Sequence, residues 1–154
     1  MQIIKQFEIK NIFNKNIQSF KRMHSFFEYE VTVIPAHVDD QQHVNNVVYV
    51  QLMQDIAYKH WNSIMTADKD EQVFWVVRRH EIDYLAPAFL HDVLLIRTWT
   101  GEHTGATWNR HCEIIRMADQ KKIITSKSVW VLLDKVTAKP RRIDDVLLRR
   151  FEAC

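Results

Sequence analysis

The stretch DDQQHVNNVVYVQLMQDIAYKHW, residues 39–61, changes from polar to amphipathic near its middle. Beyond that point apolar residues come in pairs every four positions: Val48/Tyr49, Leu52/Met53, Ile56/Ala57 and His60/Trp61. This spacing predicts a helix of about four turns with one broad buried face. Asn45 precedes the helix and is a natural N-cap, because its side-chain oxygen can accept a hydrogen bond from an N–H group of the first turn. The helix is therefore the predicted centre of the fold.

Strand patterns flank this helix on both sides. In residues 26–34, apolar and polar residues alternate, and this period of two predicts a strand that ends at Pro35. After the helix come four more strand-like stretches and a short helix: 72–85, 92–100, 106–117, 122–133 and 144–152. The connections APAFLH, GEHTG and ADQK are short enough for antiparallel turns. We predict an α+β fold, in which an antiparallel sheet of about five strands wraps around one long helix.

Composition narrows the class of protein. A chain of 154 residues with 47% hydrophobic residues suits a single globular domain. A net charge of +2 gives no reason to expect nucleic acid, and no apolar run approaches the ~20 residues of a membrane span. Cys112 and Cys154 provide neither a zinc-binding spacing nor a disulfide framework. We therefore expect a cytoplasmic protein without a nucleic-acid or membrane partner.

Glycine content and the N-terminal segment set further limits. The chain has two glycines, Gly101 and Gly105, which exclude a dinucleotide fingerprint, a Walker A loop and a GxSxG nucleophile elbow. The histidines show no HExxH spacing, so no metal site is predicted. Residues 1–22 are basic without a continuous apolar segment, and we interpret them as an appendage to a single domain at 23–154.

The polar stretch carries a family signature. Asp39-x-x-x-His43-Val44-Asn45-Asn46-x-x-Tyr49 resembles the motif D-x-x-G-H-V-N-N-x-x-Y of hot-dog-fold acyl-CoA thioesterases of the 4-hydroxybenzoyl-CoA thioesterase type. EIDYLAPAFLHDVLLIRTW (81–99) and LLDKVTAKPRRI (132–143) are similar to later segments of that family. The resemblance covers roughly residues 26–150 and implies a hot-dog fold with a short C-terminal helix.

One departure points to a second group of thioesterases. Gln42 replaces the common glycine, as in the acyl-ACP thioesterases of plants, and Gln41 stands where that group has a catalytic asparagine. The glutamate of that group has no clear counterpart, although Glu81 and Asp83 lie in the neighbouring region. The single-aspartate mechanism of the wider family therefore fits this chain better than the plant arrangement.

The resemblance implies roles for seven residues. Asp39 would be the general base or the nucleophile, and the backbone N–H of Asn46 would stabilise the oxyanion, because a helix start has free N–H groups and partial positive charge. His43, also an implied catalytic residue, would position water or hold the loop, as would Gln41. The implied substrate-binding residues are Gln41, Asn45, Val47 and Tyr49. No cofactor or metal is implied, and coenzyme A would enter only as part of the substrate.

The predicted function is hydrolysis of acyl-CoA to the free acid and coenzyme A. An acyl-ACP substrate is the near alternative, and a hot-dog module that binds acyl thioesters without turnover is another. A hot-dog dehydratase ranks lowest, since it would need its own histidine and acid pair. A homodimer is expected, with a tetramer left open, because a single sheet around one helix leaves edge strands to be protected.

Overall fold

The computed structural model describes residues 26–65 and 72–152. The predicted appendage at 1–22 lies outside these residues. The described elements are β1 (Phe27–Thr32), a 3₁₀ turn (Pro35–His37), α1 (Asn46–Ile64), β2 (Val73–Tyr84), β3 (Val93–Thr104), β4 (Thr107–Arg116), β5 (Lys121–Asp134) and α2 (Asp145–Glu152). The five predicted strands and the two predicted helices are confirmed.

The strands form one antiparallel sheet in the order β1-β3-β4-β5-β2. The sheet lies against the apolar face of α1, whose Leu52, Met53 and Ile56 pack in one cluster with strand residues such as Ile96 and Ile114. In β1 the burial alternates along the strand, as a period of two requires. This is the hot-dog architecture, with α1 as the central helix.

Two boundaries differ from the sequence-based expectation. Helix α1 begins at Asn46, two residues before the apolar pairs, and runs for 19 residues. The prediction of a turn across GEHTG was wrong, because β3 continues to Thr104 and only Gly105 and Ala106 separate it from β4. A register shift between Thr100 and His103 accommodates the extra length.

Gly101 lies where strands β3 and β4 approach each other closely. The carbonyl oxygen of Gly101 accepts a hydrogen bond from Nε1 of Trp108 at 2.8 Å. A Cβ atom at Gly101 would lie 2.8 Å from Nε2 of His111, which is closer than packed atoms approach. Gly101 thus leaves room for the ring of His111, which would have to shift if Gly101 carried a side chain, and a glycine alone is an ambiguous signal for a turn.

The buried side chains fall into two apolar clusters, one around Ile56 and one around Leu132 and Phe151. His60 is 2% exposed and contacts both, through Phe27 at 5.0 Å and Phe151 at 5.2 Å between ring centroids. The described helices are not long and apolar enough to cross a membrane.

Candidate active site

The loop between the 3₁₀ turn and α1 closes on itself. Val38 and Val44 form an isolated antiparallel bridge, and inside it the N–H of Asp39 donates to the carbonyl of His43 at 3.0 Å. The N–H of Gln42 donates back to the carbonyl of Asp39 at 2.9 Å. These bonds hold residues 39–43 as a compact turn immediately before the helix.

The turn requires left-handed backbone at one position. Gln42 has a φ of 64°, a region that costs a residue with a side chain about 1–2 kcal/mol and costs glycine little. Gln42 occupies the place at which the resembling family commonly has glycine. The backbone conformation therefore gives a physical reason for that glycine, and glutamine adopts it here at some cost.

The carboxylate of Asp39 is half-buried and oriented by its own loop. Its Oδ1 accepts a hydrogen bond from the N–H of Gln41 at 2.9 Å. Among the described residues, Oδ2 of Asp39 has no hydrogen-bond partner and the carboxylate forms no ion pair. One oxygen thus fixes the orientation of the carboxylate, and the other is available for a substrate or water.

The start of α1 follows directly. Oδ1 of Asn45 accepts a hydrogen bond from the N–H of Val47 at 2.9 Å, so the predicted N-cap is confirmed. In the described part of the chain the N–H of Asn46 has no hydrogen-bond partner, and Asn46 is exposed. The first turn of α1 contains no acidic residue to offset the positive end of the helix dipole. The free donor and the dipole together suit an anionic oxygen.

The remaining predicted site residues lie in different surroundings. Val47 is 73% exposed, but its N–H is used by the cap, which leaves Asn46 as the available backbone donor. Tyr49 is 2% exposed and packs in the core, where burial raises the pKa of its hydroxyl to about 12. Tyr49 therefore lies in the core next to the start of α1, and its contact with substrate stays a prediction.

His43 and Gln41 flank the carboxylate without bonding to it through their side chains. The ring of His43 packs against that of Phe89 at 5.6 Å between centroids, edge to face. The side chain of Gln41 is exposed, and its contact with Asp39 is made by its backbone N–H. Glu81 lies on β2 and pairs with Arg79 at 2.6 Å, so the structure gives it a surface ion pair.

A second loop, residues 85–92, supports the first and was not assigned a role from the sequence. The carbonyl of Ala88 accepts the N–H of Val44 at 2.9 Å, and Phe89 contacts His43. Arg116 braces this loop through the carbonyl of Pro87, 3.1 Å from its Nη1. The similarity of EIDYLAPAFLHDVLLIRTW to a family segment was the available signal, because it marks the loop without saying what it contacts.

Arg116 itself is held by two carboxylates. Its Nη2 lies 2.8 Å from Oδ2 of Asp119, and its Nη1 lies 3.6 Å from Oδ2 of Asp92. The hydrogen bond from Arg116 holds the pKa of Asp119 at about 2, and the same partners raise the pKa of Arg116. The described residues contain no group of three or more side chains arranged to hold a metal ion.

The fold and this loop define the class: a hot-dog-fold thioesterase. Residues 20–151 match the family model of the acyl-ACP thioesterase N-terminal domain, and the chain belongs to this family. A comparison of the sequence with curated proteins finds no match.

Solved structures of the same fold include one named as a CoA thioesterase and one named as an ACP thioesterase. The 1,4-dihydroxy-2-naphthoyl-CoA thioesterase of Synechocystis is 16% identical with a TM-score of 0.72, covering 82% of this chain and 96% of that one. A probable thioesterase of Escherichia coli is 22% identical with a TM-score of 0.71, covering 81% and 96%. The 12:0-ACP thioesterase of Umbellularia californica is 16% identical with a TM-score of 0.71, covering 81% of this chain and 49% of that one. At these identities the likeness establishes the fold.

Proposed function

We propose that this chain hydrolyses acyl thioesters at the start of α1. One observation carries the proposal: a carboxylate with a free oxygen, on Asp39, precedes a helix start whose Asn46 N–H is free. Thioester hydrolysis needs these two functions, a group that activates water or attacks the carbonyl, and a donor for the oxygen that gains charge. The family of the chain supports the same reaction.

In the proposed mechanism, the thioester carbonyl oxygen accepts a hydrogen bond from the N–H of Asn46. As the carbonyl carbon becomes tetrahedral, negative charge develops on this oxygen, next to the positive end of α1. Removal of one such donor typically costs about 10²–10³ in kcat. The Asn45 side chain keeps the Val47 N–H occupied, so the developing charge would be directed to Asn46.

Asp39 has two possible roles, and both fit its free Oδ2. As a general base, it takes a proton from water, the hydroxide adds to the carbonyl carbon, and the C–S bond breaks to release a thiolate that gains a proton. As a nucleophile, Oδ2 attacks the carbonyl carbon and expels the thiolate, and water then cleaves the mixed anhydride. Since a thiolate leaves readily, neither route requires a metal or another cofactor.

We propose acyl-CoA as the substrate, with coenzyme A as the leaving thiol. Acyl-ACP is a second candidate, because the family model that matches the chain is that of acyl-ACP thioesterases. The two carriers present the same phosphopantetheine thioester, so the chemistry at Asp39 and Asn46 is unchanged. Discrimination would come from surfaces that touch the nucleotide of coenzyme A or the carrier protein.

The test is thiol release from acyl-CoA esters of short, long and aromatic acyl groups, followed by the same acyl groups on acyl carrier protein. Each assay is run on the unmodified chain, on Asp39→Asn and on Asp40→Asn. Asp40 is the exposed carboxylate next in the chain, so its variant controls for the loss of one negative charge.

We expect Asp39→Asn to lower kcat by about 10²–10⁴-fold, the usual contribution of a positioned base, with Asp40→Asn near the unmodified rate. Equal rates for all three proteins would contradict the assignment of Asp39. An absence of turnover with either carrier would favour the module that binds acyl thioesters without hydrolysis.

We also propose that the chain forms a homodimer through β2, with a tetramer left open. Strands β1 and β2 are the two edges of the described sheet, and β2 offers 12 residues of unpaired edge. A long free edge of this kind is normally paired or protected. Size-exclusion chromatography coupled to light scattering would give the mass of the assembly. A monomer at micromolar concentration would contradict this proposal.

A further inference from the structure

A cavity of about 420 Å³ lies along the second half of α1, away from the Asp39 loop. Its size is within the range of small-molecule sites. Its wall includes aromatic rings from α1, β2, β4, β5 and α2: Tyr58, Trp61, Trp75, Trp108, Trp130 and Phe151. The first residue of α1 that lines it, Gln54, is eight positions beyond Asn46, or about 12 Å along the helix. The cavity is thus separate from the candidate active site.

The wall of this cavity is cationic. Its charged residues are Arg110 and Lys135, and no aspartate or glutamate lines it. Arg110 lies on β4 midway between the buried Trp108 and Cys112. Because residues two apart in a strand share a face, it points toward the helix and not toward the solvent side of the sheet. A guanidinium on the inner face of a sheet is uncommon, because a buried charge is costly without a partner.

Among the described residues the charge of Arg110 is met by two neutral acceptors and by the ring of Phe151, whose centroid lies 5.8 Å from its Cζ, and not by a carboxylate. Its Nη1 donates to Nδ1 of His60 at 3.0 Å and to Oγ1 of Thr98 at 3.2 Å. Thr98 in turn donates its hydroxyl to the carbonyl of His111 at 2.7 Å. Within the described ranges Arg110 meets no carboxylate, and Nε and Nη2 have no hydrogen-bond partner.

His60 orients this cation without neutralising it. Its Nδ1 accepts from Arg110, which requires the neutral ring. Burial and the adjacent guanidinium lower the pKa of His60 to about 4, and burial lowers the pKa of Arg110 to about 10. At neutral pH the pair therefore carries one positive charge, held in place by His60 and Thr98 beside an aromatic cavity.

We infer that this cavity binds a monocarboxylate with an apolar or aromatic body. The carboxylate would meet the free N–H groups of Arg110, which are arranged to bind two oxygens at once, and the rings would cover the body of the ligand. The other anion-binding feature, the N–H of Asn46, lies 14 positions before His60, the residue that holds Arg110, or about 21 Å away along the helix, so the two sites are distinct. The inference does not depend on hydrolysis, although free acids are the class of compound that thioester hydrolysis releases.

A purely apolar cavity that accepts any hydrocarbon tail is the competing interpretation. The two differ in one property, the requirement for charge. Matched pairs of ligands with the same shape, phenylbutyrate with phenylbutyramide and octanoate with octanamide, separate them. Titration calorimetry on the full chain measures each affinity.

We expect each acid to bind at least about tenfold more tightly than its amide, as hydrogen bonds to a charged group require. Arg110→Gln should remove this preference and leave amide binding unchanged, and Arg110→Lys should retain part of it. Arg79→Gln removes an exposed arginine on β2 and is the control for lost charge, with no expected effect. Asp39→Asn should leave acid binding unchanged.

Equal affinities for acid and amide in the unmodified chain would overturn the inference, and so would the absence of acid binding at millimolar concentration. These outcomes need no variant, so the test survives a failure of Arg110→Gln to fold. Loss of acid binding in Asp39→Asn would place the acid at the candidate active site and overturn the inference as well. A chain that binds acids without hydrolysing thioesters would refute the proposed function alone.

Discussion

Oδ1 of Asn45 accepts the N–H of Val47 at 2.9 Å, and this bond decides which donor at the start of α1 remains free. The N–H of Val48 is also occupied, by the carbonyl of Asn45 at 2.9 Å. Asn46 alone of these three residues keeps an N–H without a partner in the described chain. The cap therefore links the stability of the helix to the proposed oxyanion site.

The first prediction concerns this cap. Asn45→Ala should lower the free energy of unfolding by about 1 kcal/mol, because the N–H of Val47 loses its acceptor. It should also lower kcat, since a second free N–H and a frayed first turn misplace the donor of Asn46. Urea unfolding and thiol release measure the two effects.

Asn45→Asp is the matched control, because aspartate caps a helix as well as asparagine does. It should keep the stability of the unmodified chain, while its negative charge beside Asn46 opposes the developing oxyanion and lowers kcat. An Asn45→Ala protein with unchanged stability would show that the cap contributes nothing to the fold.

The second prediction concerns Gln42, which has a φ of 64°. Gln42→Gly should raise the free energy of unfolding by about 1 kcal/mol, because glycine adopts left-handed backbone without the steric cost. Gln42→Val should lower it, since a β-branched side chain tolerates this region least. Thermal unfolding of the three proteins ranks them. The order glycine, glutamine, valine is expected, and a glycine variant less stable than the unmodified chain would contradict it.

The sequence predicted the fold well because its signals are local. The paired apolar residues of α1 and the alternation in β1 each follow from one element, and Asn45 was recognisable as a cap from its position alone. Gly101 misled for the same reason: its role depends on Trp108 and His111, which lie on the next strand. Only the paired strands show that the ring of His111 lies against this position.

The candidate site, like the fold, was predictable only where its signals are local in the sequence. The motif located Asp39 and Asn46, but it did not show that Oδ1 of Asp39 is bonded to Gln41. Arg110 was overlooked among the basic residues, although it shares a strand face with Trp108 and Cys112. Its lack of a carboxylate partner depends on neighbours from three other elements, and no local pattern contains that information.

The third prediction concerns Arg116, which ties β4 to the loop that supports the site. Arg116→Met should lower the free energy of unfolding by about 1 kcal/mol, because the carbonyl of Pro87 loses a donor and the carboxylate of Asp92 loses its ion-pair partner. It should lower kcat by about tenfold or more, since small displacements of catalytic groups are costly. Urea unfolding and thiol release are the measurements.

Asp119→Asn is the control for this variant, because it weakens only the exposed partner of Arg116. It should leave kcat within about twofold of the unmodified value, since Pro87 and Asp92 keep their contacts and exposed ion pairs contribute little. If Arg116→Met lost stability but kept full activity, the loop at 85–92 would have no positioning role.

The fourth prediction is a pH dependence of stability that arises from His60. Burial and Arg110 depress its pKa in the folded chain to about 4 from an ordinary value of 6.5. Between these two values the unfolded chain binds a proton that the folded chain does not, so the free energy of unfolding falls as the pH falls. The loss should begin near pH 6.5 and reach at most roughly 3 kcal/mol at pH 4.

His60→Gln tests this assignment, because glutamine can accept from Arg110 and does not titrate in this range. Its unfolding free energy should be lower at neutral pH, since the stacked contact with Phe27 is lost, and should vary less between pH 4 and 6.5. His80, whose pKa burial also lowers, contributes in the same direction, and His80→Gln measures that share. A His60→Gln profile parallel to that of the unmodified chain would show that His60 does not cause the slope.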